Sequence, residues 1–238
     1  IRMRITQEGH LLQLTWMPRF FPVNCYLIEE EHELTLIDAA LPFSVKGIIQ
    51  TAAGLGKEIT RIILTHAHDD HVGALDEMKS HFPKAKVYIS ERDSALLSGD
   101  RSLRAGEPST PIRGGVPKKL TTRADILIYD GDVVGSLKAI STPGHTPGSM
   151  SFLDQRNKAI IVGDALQSFR GTAVSGTIVP GFPFPAFATW NKESALASAR
   201  KILHAEPTIL AVGHGNLLKQ PQTKIEAAIL KASKKGVK

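Results

Sequence analysis

The sequence predicts an α+β protein made of two β-rich halves that pack sheet on sheet, with helices on the outside. Short apolar runs typical of strands occur in both halves of the chain, and segments with helical periodicity lie between them. Residues 75–89 and 197–211 also share one order: a helix, a histidine, a proline and a buried strand. At 238 residues the chain can bury one large core, so we expect a single domain over residues 1–238.

The first half of the chain alternates strands with helices. Alternating or continuous apolar residues predict strands at residues 10–16, 24–30, 34–38, 61–64 and 86–90. Apolar residues at helical spacing predict helices at residues 42–54, 72–82 and 91–97. An irregular insert at about residues 99–124 follows, rich in Arg, Gly, Pro, Ser and Thr. Since compact domains seldom contain irregular segments of this length, we expect the insert to be functional or mobile.

The second half begins with the spacing of an antiparallel meander. Strands are predicted at residues 126–129, 133–141, 149–153, 159–162 and 208–212. Helices are predicted at residues 190–204 and 222–235. Residues 166–188 are rich in Gly, Pro and Phe, and we expect them to be irregular.

Composition excludes several classes of protein. Apolar residues make up 42% of the chain and charged residues 22%, as in ordinary globular proteins, and no apolar run is long enough to span a membrane. The net charge is +6, but the basic residues are scattered without interleaved aromatic residues, so no nucleic-acid partner is expected. Cys25 is the only cysteine and permits no internal disulfide, which together with the absence of a visible secretory signal predicts a cytoplasmic protein.

The segment Thr65–His71 is the strongest functional signal in the sequence. It places three imidazoles and two carboxylates directly after a predicted buried strand. Imidazole and carboxylate groups are metal ligands, and a surface loop has no structural need for so many of them. The segment therefore predicts a metal site at the end of this strand.

Four further residues stand at junctions between a strand and a loop, most of them beside a glycine. They are Asp38, His145, Asp164 and His214. Glycine allows the backbone to approach closely or to take a positive φ, and loops at strand ends are where sites are usually built. We expect Asp38 to support a ligand rather than to be one.

The order of these motifs resembles that of the metallo-β-lactamase fold superfamily. The resemblance covers nearly the whole chain and comprises Asn24–Ile28, Leu36–Asp38, Thr65–His71, Thr142–Ser149, Gly163–Asp164 and Gly213–Gly215. It implies a four-layer αββα sandwich, in which helices flank two mixed β-sheets and the metals lie at one edge.

The resemblance also implies which residues hold metal. One metal would be held by His66, His68 and His145, and the second by Asp70, His71 and His214. Asp164 would bridge the two ions. This set suits two Zn²⁺ ions, with Fe or Mn as alternatives, and a shared hydroxide as the nucleophile. Asp70 would also accept a proton from the bridging water, which makes it the candidate catalytic residue.

The resemblance narrows the reaction without naming a substrate. The carboxylate of Asp164 argues against a β-lactamase, and residues 215–238 are too few for the C-terminal helical domain of glyoxalase II-like enzymes. N-acyl homoserine lactonases fit the length and ligands, but they usually carry a tyrosine where this chain has Ala165–Ser168. We therefore expect a dinuclear zinc hydrolase acting on a small ester, lactone or thioester.

Three other functions remain open at this point. A persulfide dioxygenase-like oxidoreductase would use one iron held by part of the same ligand set. A phosphodiesterase or nuclease of the superfamily would bind nucleic acid in a salt-dependent manner. A binding module that keeps the fold without catalysis is the third. Oligomeric state and metal identity are not defined by the sequence.

Two aromatic stretches are candidates for the substrate pocket. The first is residues 16–21, which contain Phe20 and Phe21, and the second is residues 178–187, which contain Phe182 and Phe184. Pockets for small molecules are mostly apolar, so these side chains suggest a small-molecule substrate with an apolar acyl group. Packing of the same rings over a sheet edge explains them equally well.

Overall fold

The computed structural model describes residues 3–235, and residues 1, 2 and 236–238 of the expected domain lie outside the described part. The chain divides into two compact units. Unit one comprises Ile1–Gly99 and Gly115–Ile128, and unit two comprises Asp100–Gly114 and Tyr129–Lys238. The single domain over residues 1–238 stays a prediction. Each unit is built around its own mixed β-sheet.

The sheet of unit one has seven strands, which lie side by side in chain order. They are β1 (Arg4–Glu8), β2 (Leu11–Trp16), β3 (Val23–Glu29), β4 (Glu33–Ile37), β5 (Glu58–Ile63), β6 (Lys86–Ser90) and β7 (Ile126–Ile128). Strands β1 to β4 are antiparallel neighbours, whereas β4 to β7 run parallel to one another. The carboxyl ends of the parallel strands therefore meet at one edge of the sheet.

The helices of unit one follow the parallel strands. They are a 3-10 helix (Pro42–Ser44), α1 (Val45–Gly54), α2 (Asp69–Val72), α3 (Leu75–His81) and α4 (Glu91–Leu97). Helix α1 buries Ile48 and Ala52. The side chain of Ser90 accepts a hydrogen bond from the amide of Asp93 and so caps α4.

The single helix expected at residues 72–82 is wrong in its bounds, because the chain forms two short helices there. The break falls at Gly73, whose amide donates to the carbonyl of Ala40 at 2.7 Å. A Cβ at Gly73 would lie 2.6 Å from Pro42, so only glycine permits this close approach. Helix α2 begins at Asp69, which places His71 within its single turn.

The sheet of unit two has six strands in the order β15, β14, β11, β10, β9 and β8. These strands are β8 (Val133–Val134), β9 (Leu137–Ser141), β10 (Met150–Asp154), β11 (Ala159–Ile161), β14 (Ile209–Ala211) and β15 (Leu218–Lys219). The pair β11 and β14 is parallel, and the other neighbours are antiparallel. A buried core joins these strands to two helices, with Ile160, Leu210, Ile202 and Ile225 at 0% exposure.

The remaining elements of unit two lie largely in the stretch expected to be irregular. Residues 166–188 contain a hairpin of β12 (Leu166–Gln167) and β13 (Ala173–Val174), and a short helix α5 (Phe184–Phe187). Helices α6 (Lys192–His204) and α7 (Gln222–Lys235) follow, α7 with the bounds expected from the sequence. Within residues 3–235, no helix has the length and apolar composition required to cross a membrane.

Candidate metal centre

The histidine-rich segment of unit one lies at the carboxyl edge of the parallel strands. Strands β4 and β5 are neighbours, with Ile37 opposite Ile63, and the amide of Asp38 donates to the carbonyl of Ile63 at 2.9 Å. His66 and His68 follow β5, and Asp70 and His71 lie in α2. The end of one strand thus places Asp38 beside the segment that follows the next.

Asp38 orients His71. The residue has a positive φ of 59°, and its carboxylate accepts hydrogen bonds from the amide and the hydroxyl of Thr65, each at 2.8 Å. The same Oδ2 atom lies 2.8 Å from Nδ1 of His71. With Nδ1–H donating to this carboxylate, the lone pair of His71 is on Nε2, as in many histidines that bind metal. These contacts place Asp38 against a predicted ligand, and its supporting role stays a prediction.

His66 is oriented by the same group through Thr65. The Thr65 hydroxyl donates to Asp38 and lies 3.0 Å from Nδ1 of His66, from which it can accept. The lone pair of His66 is therefore also on Nε2. Ligand atoms of His66 lie within 4.8 Å of those of His68 and of His71, and Asp70 Oδ2 is 4.0 Å from His71 Nε2. Unit one thus brings its four predicted ligands together.

Asp93 is a supporting residue that the sequence analysis missed. It is fully buried, and its Oδ2 accepts a hydrogen bond from the amide of Ala67 at 3.1 Å. This bond holds the backbone between His66 and His68. In the sequence Asp93 is an ordinary acidic residue of a short predicted helix, and nothing in that pattern indicates its contact with Ala67.

Asp69 connects the ligand segment to the insert. Its amide donates to the carbonyl of Gly115 at 2.9 Å, and a Cβ on Gly115 would lie 2.6 Å from Asp69 Oδ2. Burial raises the pKa of the Asp69 carboxyl, and the neighbouring charge of Asp70 raises it further. Asp69 thus contacts the insert, whereas Asp70 lies near His71.

Cys25 is not suited to act as a nucleophile. It is fully buried in β3, and burial raises the pKa of its thiol well above the usual range, with the charge of Asp38 adding to the effect. Since the thiolate is the reactive form, Cys25 remains an inert thiol at neutral pH.

In unit two, one buried carboxylate lies between two imidazoles. Asp164 and His214 follow the parallel neighbours β11 and β14, and the amide of Gly213 donates to the carbonyl of Gly163 at 2.7 Å. Asp164 Oδ2 is 3.1 Å from Nε2 of His214 and 3.3 Å from Nε2 of His145. Unit two thus brings its three predicted ligands together.

The loop that carries His145 packs closely against α6. Nδ1 of His145 lies 3.0 Å from the Ser175 hydroxyl and 3.3 Å from that of Thr189, which leaves Nε2 facing Asp164. The preceding Gly144 has a φ of 142°, and a Cβ there would lie 2.3 Å from the amide nitrogen of Ala195. No sequence pattern marks Ser175 or Thr189 as a partner of His145, since isolated hydroxyl residues are common in loops.

The candidate pocket residues fall in both units. In unit two, the ring of the fully buried Phe182 lies 5.5 Å from that of His214 and 5.5 Å from that of Phe184, which is 52% exposed. In unit one, Phe20 is 81% exposed beside an open groove of about 870 Å³, and Phe21 is half-buried. Their assignment to a substrate pocket stays a prediction.

The structure has clusters of histidine and aspartate that are suited to binding metal, and mixed sheets with flanking helices carry them. These features define a class of α+β metalloprotein. The model of the metallo-beta-lactamase superfamily matches residues 18–214, and the chain belongs to this superfamily. The predicted enzyme class, a metal-dependent hydrolase of this superfamily with its reaction left open, agrees with this membership and with the names of the relatives that follow.

Curated relatives cover most of the chain. The uncharacterized protein YobT of Bacillus subtilis is 60% identical over 98% of this chain and 100% of its own length. The probable metallo-hydrolase YflN of the same organism is 30% identical, covering 81% of this chain and 80% of its own. The hydroxyacylglutathione hydrolase GloC of Haemophilus influenzae is 29% identical, covering 82% and 87%.

Solved structures confirm the predicted fold class. The metallo-beta-lactamase DIM-1 has a TM-score of 0.75 and 13% identity, with 99% of this chain and 98% of that chain covered. TTHA1623, solved in a di-iron-bound form, has a TM-score of 0.65 and 25% identity, with 88% and 95% covered. The fold is thus that of the metallo-β-lactamases, with two mixed sheets flanked by helices.

Proposed function

We propose that the ligands of the two units form one dinuclear metal centre. One ion would be held by His66, His68 and His145, and the other by Asp70, His71 and His214. Asp164 would contact both ions. The matched family range, residues 18–214, contains all seven residues. The chemistry of the donors also fits, because His66, His71 and His145 each engage Nδ1 with a hydrogen-bonding group, and this orients Nε2 for a metal.

The proposed ions are zinc, which nitrogen and carboxylate ligands suit well. Iron and manganese are the alternatives, and the di-iron-bound form of TTHA1623 keeps iron relevant. When bound, two such ions supply a water of lowered pKa and a Lewis acid for the oxygen of a substrate carbonyl.

Two carboxylates, Asp70 and Asp164, would have different roles in the proposed reaction. The Asp70 side chain is 29% exposed, whereas that of Asp164 is only 4% exposed. Asp70 can therefore accept a proton from the attacking water and release it to solvent, while Asp164 remains a buried ligand. Asp38 would keep His71 in the tautomer that binds metal.

The proposed reaction is hydrolysis of a small ester, lactone or thioester, and a thioester is favoured. The observation that best supports a hydrolase is the presence of all seven predicted ligand residues in a chain of this superfamily. The preference for a thioester is supported by the name of GloC, since hydroxyacylglutathione is a thioester. An acyl group could pack against the exposed ring of Phe184.

A hydrolysis screen with metal analysis tests this proposal. The protein would be purified without added metal, analysed, then loaded with zinc and assayed on acyl thioesters, lactones and phosphodiesters. We expect thioester turnover that disappears in Asp164→Ala and persists in the exposed control Glu77→Gln. One iron and no zinc per chain, with no hydrolysis in the screen, would contradict the proposal and favour the oxidoreductase.

We also propose that the substrate is a small molecule handled in the cytoplasm without a nucleic-acid partner. The scattered basic residues and the buried, inert Cys25 support this view. Fractionation of cells that express a tagged chain would test the location. Steep salt-dependent binding of RNA would contradict the expected class of partner.

A further inference from the structure

The hairpin of β12 and β13 is fastened to the loop of His214. The amide of Ser168 donates to the carbonyl of His214 at 3.0 Å, and its hydroxyl donates to the carbonyl of Asn216 at 2.6 Å. Gly215 leaves no space for a side chain, since a Cβ there would lie 2.3 Å from the Ser168 hydroxyl oxygen. Residues directly after Ser168 are therefore held beside a predicted metal ligand.

An aromatic wall beside these two loops consists of Phe169, Phe182 and Phe184. The ring of Phe182 lies 5.1 Å from that of Phe169 and 5.5 Å from that of Phe184, all in edge-to-face contacts. The ring of His214 lies 5.5 Å from Phe182. Since Phe182 is buried and Phe184 is half-exposed, the aromatic wall extends from His214 towards solvent.

Arg170 lies at the Phe169 end of the aromatic wall. Its guanidinium carbon is 5.3 Å from the centre of the Phe169 ring, and its Cδ is 3.2 Å from where a Cβ on Gly181 would be. A bulkier residue at position 181 would meet the Arg170 stem. The contact with Phe169 limits the conformations of an exposed side chain and so prepares it for binding.

The guanidinium of Arg170 forms no ion pair within the part of the chain that the structure describes. Within residues 3–235, no carboxylate lies within salt-bridge distance of its guanidinium. A guanidinium is always charged at neutral pH, and its planar set of donors fits a carboxylate or a phosphate. An exposed arginine held on an aromatic ring, without an acidic neighbour, has the features of an anion-binding group.

We propose that Arg170 selects substrates that carry an anionic group, a carboxylate or a phosphate, on the part of the molecule that lies along the aromatic wall. This inference rests on the proposed hydrolase function and adds the substrate class. The apolar part contacts Phe184, and the anion pairs with Arg170 at the solvent side. The anion can belong to the acyl part or to the thiol part, which the test separates.

Two matched pairs of thioesters test the proposal. In the first pair the thiol part is 3-mercaptopropionate or its neutral amide, each carrying a hexanoyl group. In the second pair the acyl part is a monoadipoyl group or its neutral methyl amide, each on N-acetylcysteamine. The measured quantity is the ratio of kcat/KM for the anionic to the neutral member, in wild type and in Arg170→Gln.

We expect the ratio to fall about fivefold in Arg170→Gln for one pair, mainly through KM, which is the size expected for a single ion pair near the surface. Arg170→Lys should keep part of the preference, because the charge remains and the planar donors are lost. Arg200→Gln, the same charge change on the exposed face of α6, should leave the ratio unchanged.

The outcomes separate the two proposals. If wild type hydrolyses neither pair, the hydrolase proposal fails. If it hydrolyses them and the ratio for both pairs is the same in Arg170→Gln as in wild type, the role of Arg170 is overturned while the hydrolase stands. A ratio that falls equally in Arg200→Gln would show a general charge effect and would also overturn it. The pair whose ratio falls identifies the part of the substrate that carries the anion.

Discussion

Asp38 binds no metal in our proposal, but it contacts the predicted ligand His71 directly. Its carboxylate contacts Thr65 and His71, and through the Thr65 hydroxyl it also acts on His66. A buried carboxylate in this position raises the basicity of the imidazole and fixes its tautomer.

We predict that Asp38→Asn weakens metal binding by about 10- to 100-fold, because the neutral amide no longer holds the His71 imidazole in the donating tautomer. A competition titration against a chromophoric chelator measures the dissociation constant for zinc. Glu77→Gln, an exposed change on α3, is the matched control.

Circular dichroism of the apo protein shows whether Asp38→Asn still folds, which separates a loss of metal affinity from a loss of structure. An unchanged spectrum with weakened metal binding supports the role of Asp38. An unchanged zinc affinity in folded Asp38→Asn would show that Asp38 does not orient His71.

At the scale of single residues, the sequence revealed side chains whose chemistry is unusual for their position. Three histidines within residues 66–71 predict metal binding, and adjacent glycines mark His145, Asp164 and His214 as candidate site residues. Asp93, Ser175 and Thr189 could not be found, because their function depends on a partner distant in the chain.

Among the elements, the loop before β10 depends most on one glycine. Gly144 has a φ of 142° and approaches the start of α6 so closely that a Cβ would lie 2.3 Å from a backbone nitrogen. A backbone atom in a helix cannot move aside as the end of a flexible side chain can. The position of His145 is therefore coupled to α6.

We predict that Gly144→Ala lowers the free energy of unfolding by about 2–4 kcal/mol, which combines backbone strain with overpacking. Gly171→Ala is a closely matched control, because Gly171 has a φ of 135° but no atom within 4 Å of an added Cβ. This control should lose only about 1 kcal/mol, from the backbone term.

Urea denaturation of both variants measures the difference. Equal losses of stability would mean that contact with α6 does not restrain the loop. A larger loss in Gly144→Ala, accompanied by weaker zinc binding, supports the coupling of His145 to the helix.

The elements that sequence patterns missed are short or lie at sheet edges. Strand β1 (Arg4–Glu8) has few apolar residues, and β12 and β15 have two residues each, so their pairing and not their periodicity defines them. By contrast β6 and α4 were predicted with the observed bounds, since both carry continuous patterns between clear boundaries.

For the whole molecule, we expect metal binding to raise stability as well as to permit catalysis. Ligands that bind only the native state stabilise it by RT ln(1 + [L]/Kd), about 2.7 kcal/mol at a hundredfold excess over Kd. For a chain of this length, this corresponds to a rise in Tm of roughly 5–10 °C.

Thermal denaturation with and without zinc measures this rise. Asp164→Ala, which removes the proposed shared ligand, should show a much smaller shift than wild type. If zinc changes Tm equally in both proteins, the ion binds elsewhere, and the proposed centre is wrong.

The arrangement of strands shows why motif order identified the fold. Asp38, Asp164, His214 and the segment Thr65–His71 each follow a strand. The parallel pairs β4–β5 and β11–β14 place the strand ends in each unit side by side. The order of the motifs along the chain reflects this arrangement of strands, and it therefore identifies the fold. The substrate does not follow from it, because the loops that would contact a substrate have no regular pattern.

The attachment of the β12–β13 hairpin has a consequence for protein engineering. Ser168 and Gly215 join the base of the hairpin to the loop of His214, while Arg170 and Gly171 at its tip are exposed. The tip can therefore be exchanged or lengthened while the base stays fixed. Because we propose that Arg170 contacts the substrate, grafting other tips between Ser168 and Ala173 is expected to change which substrates are hydrolysed.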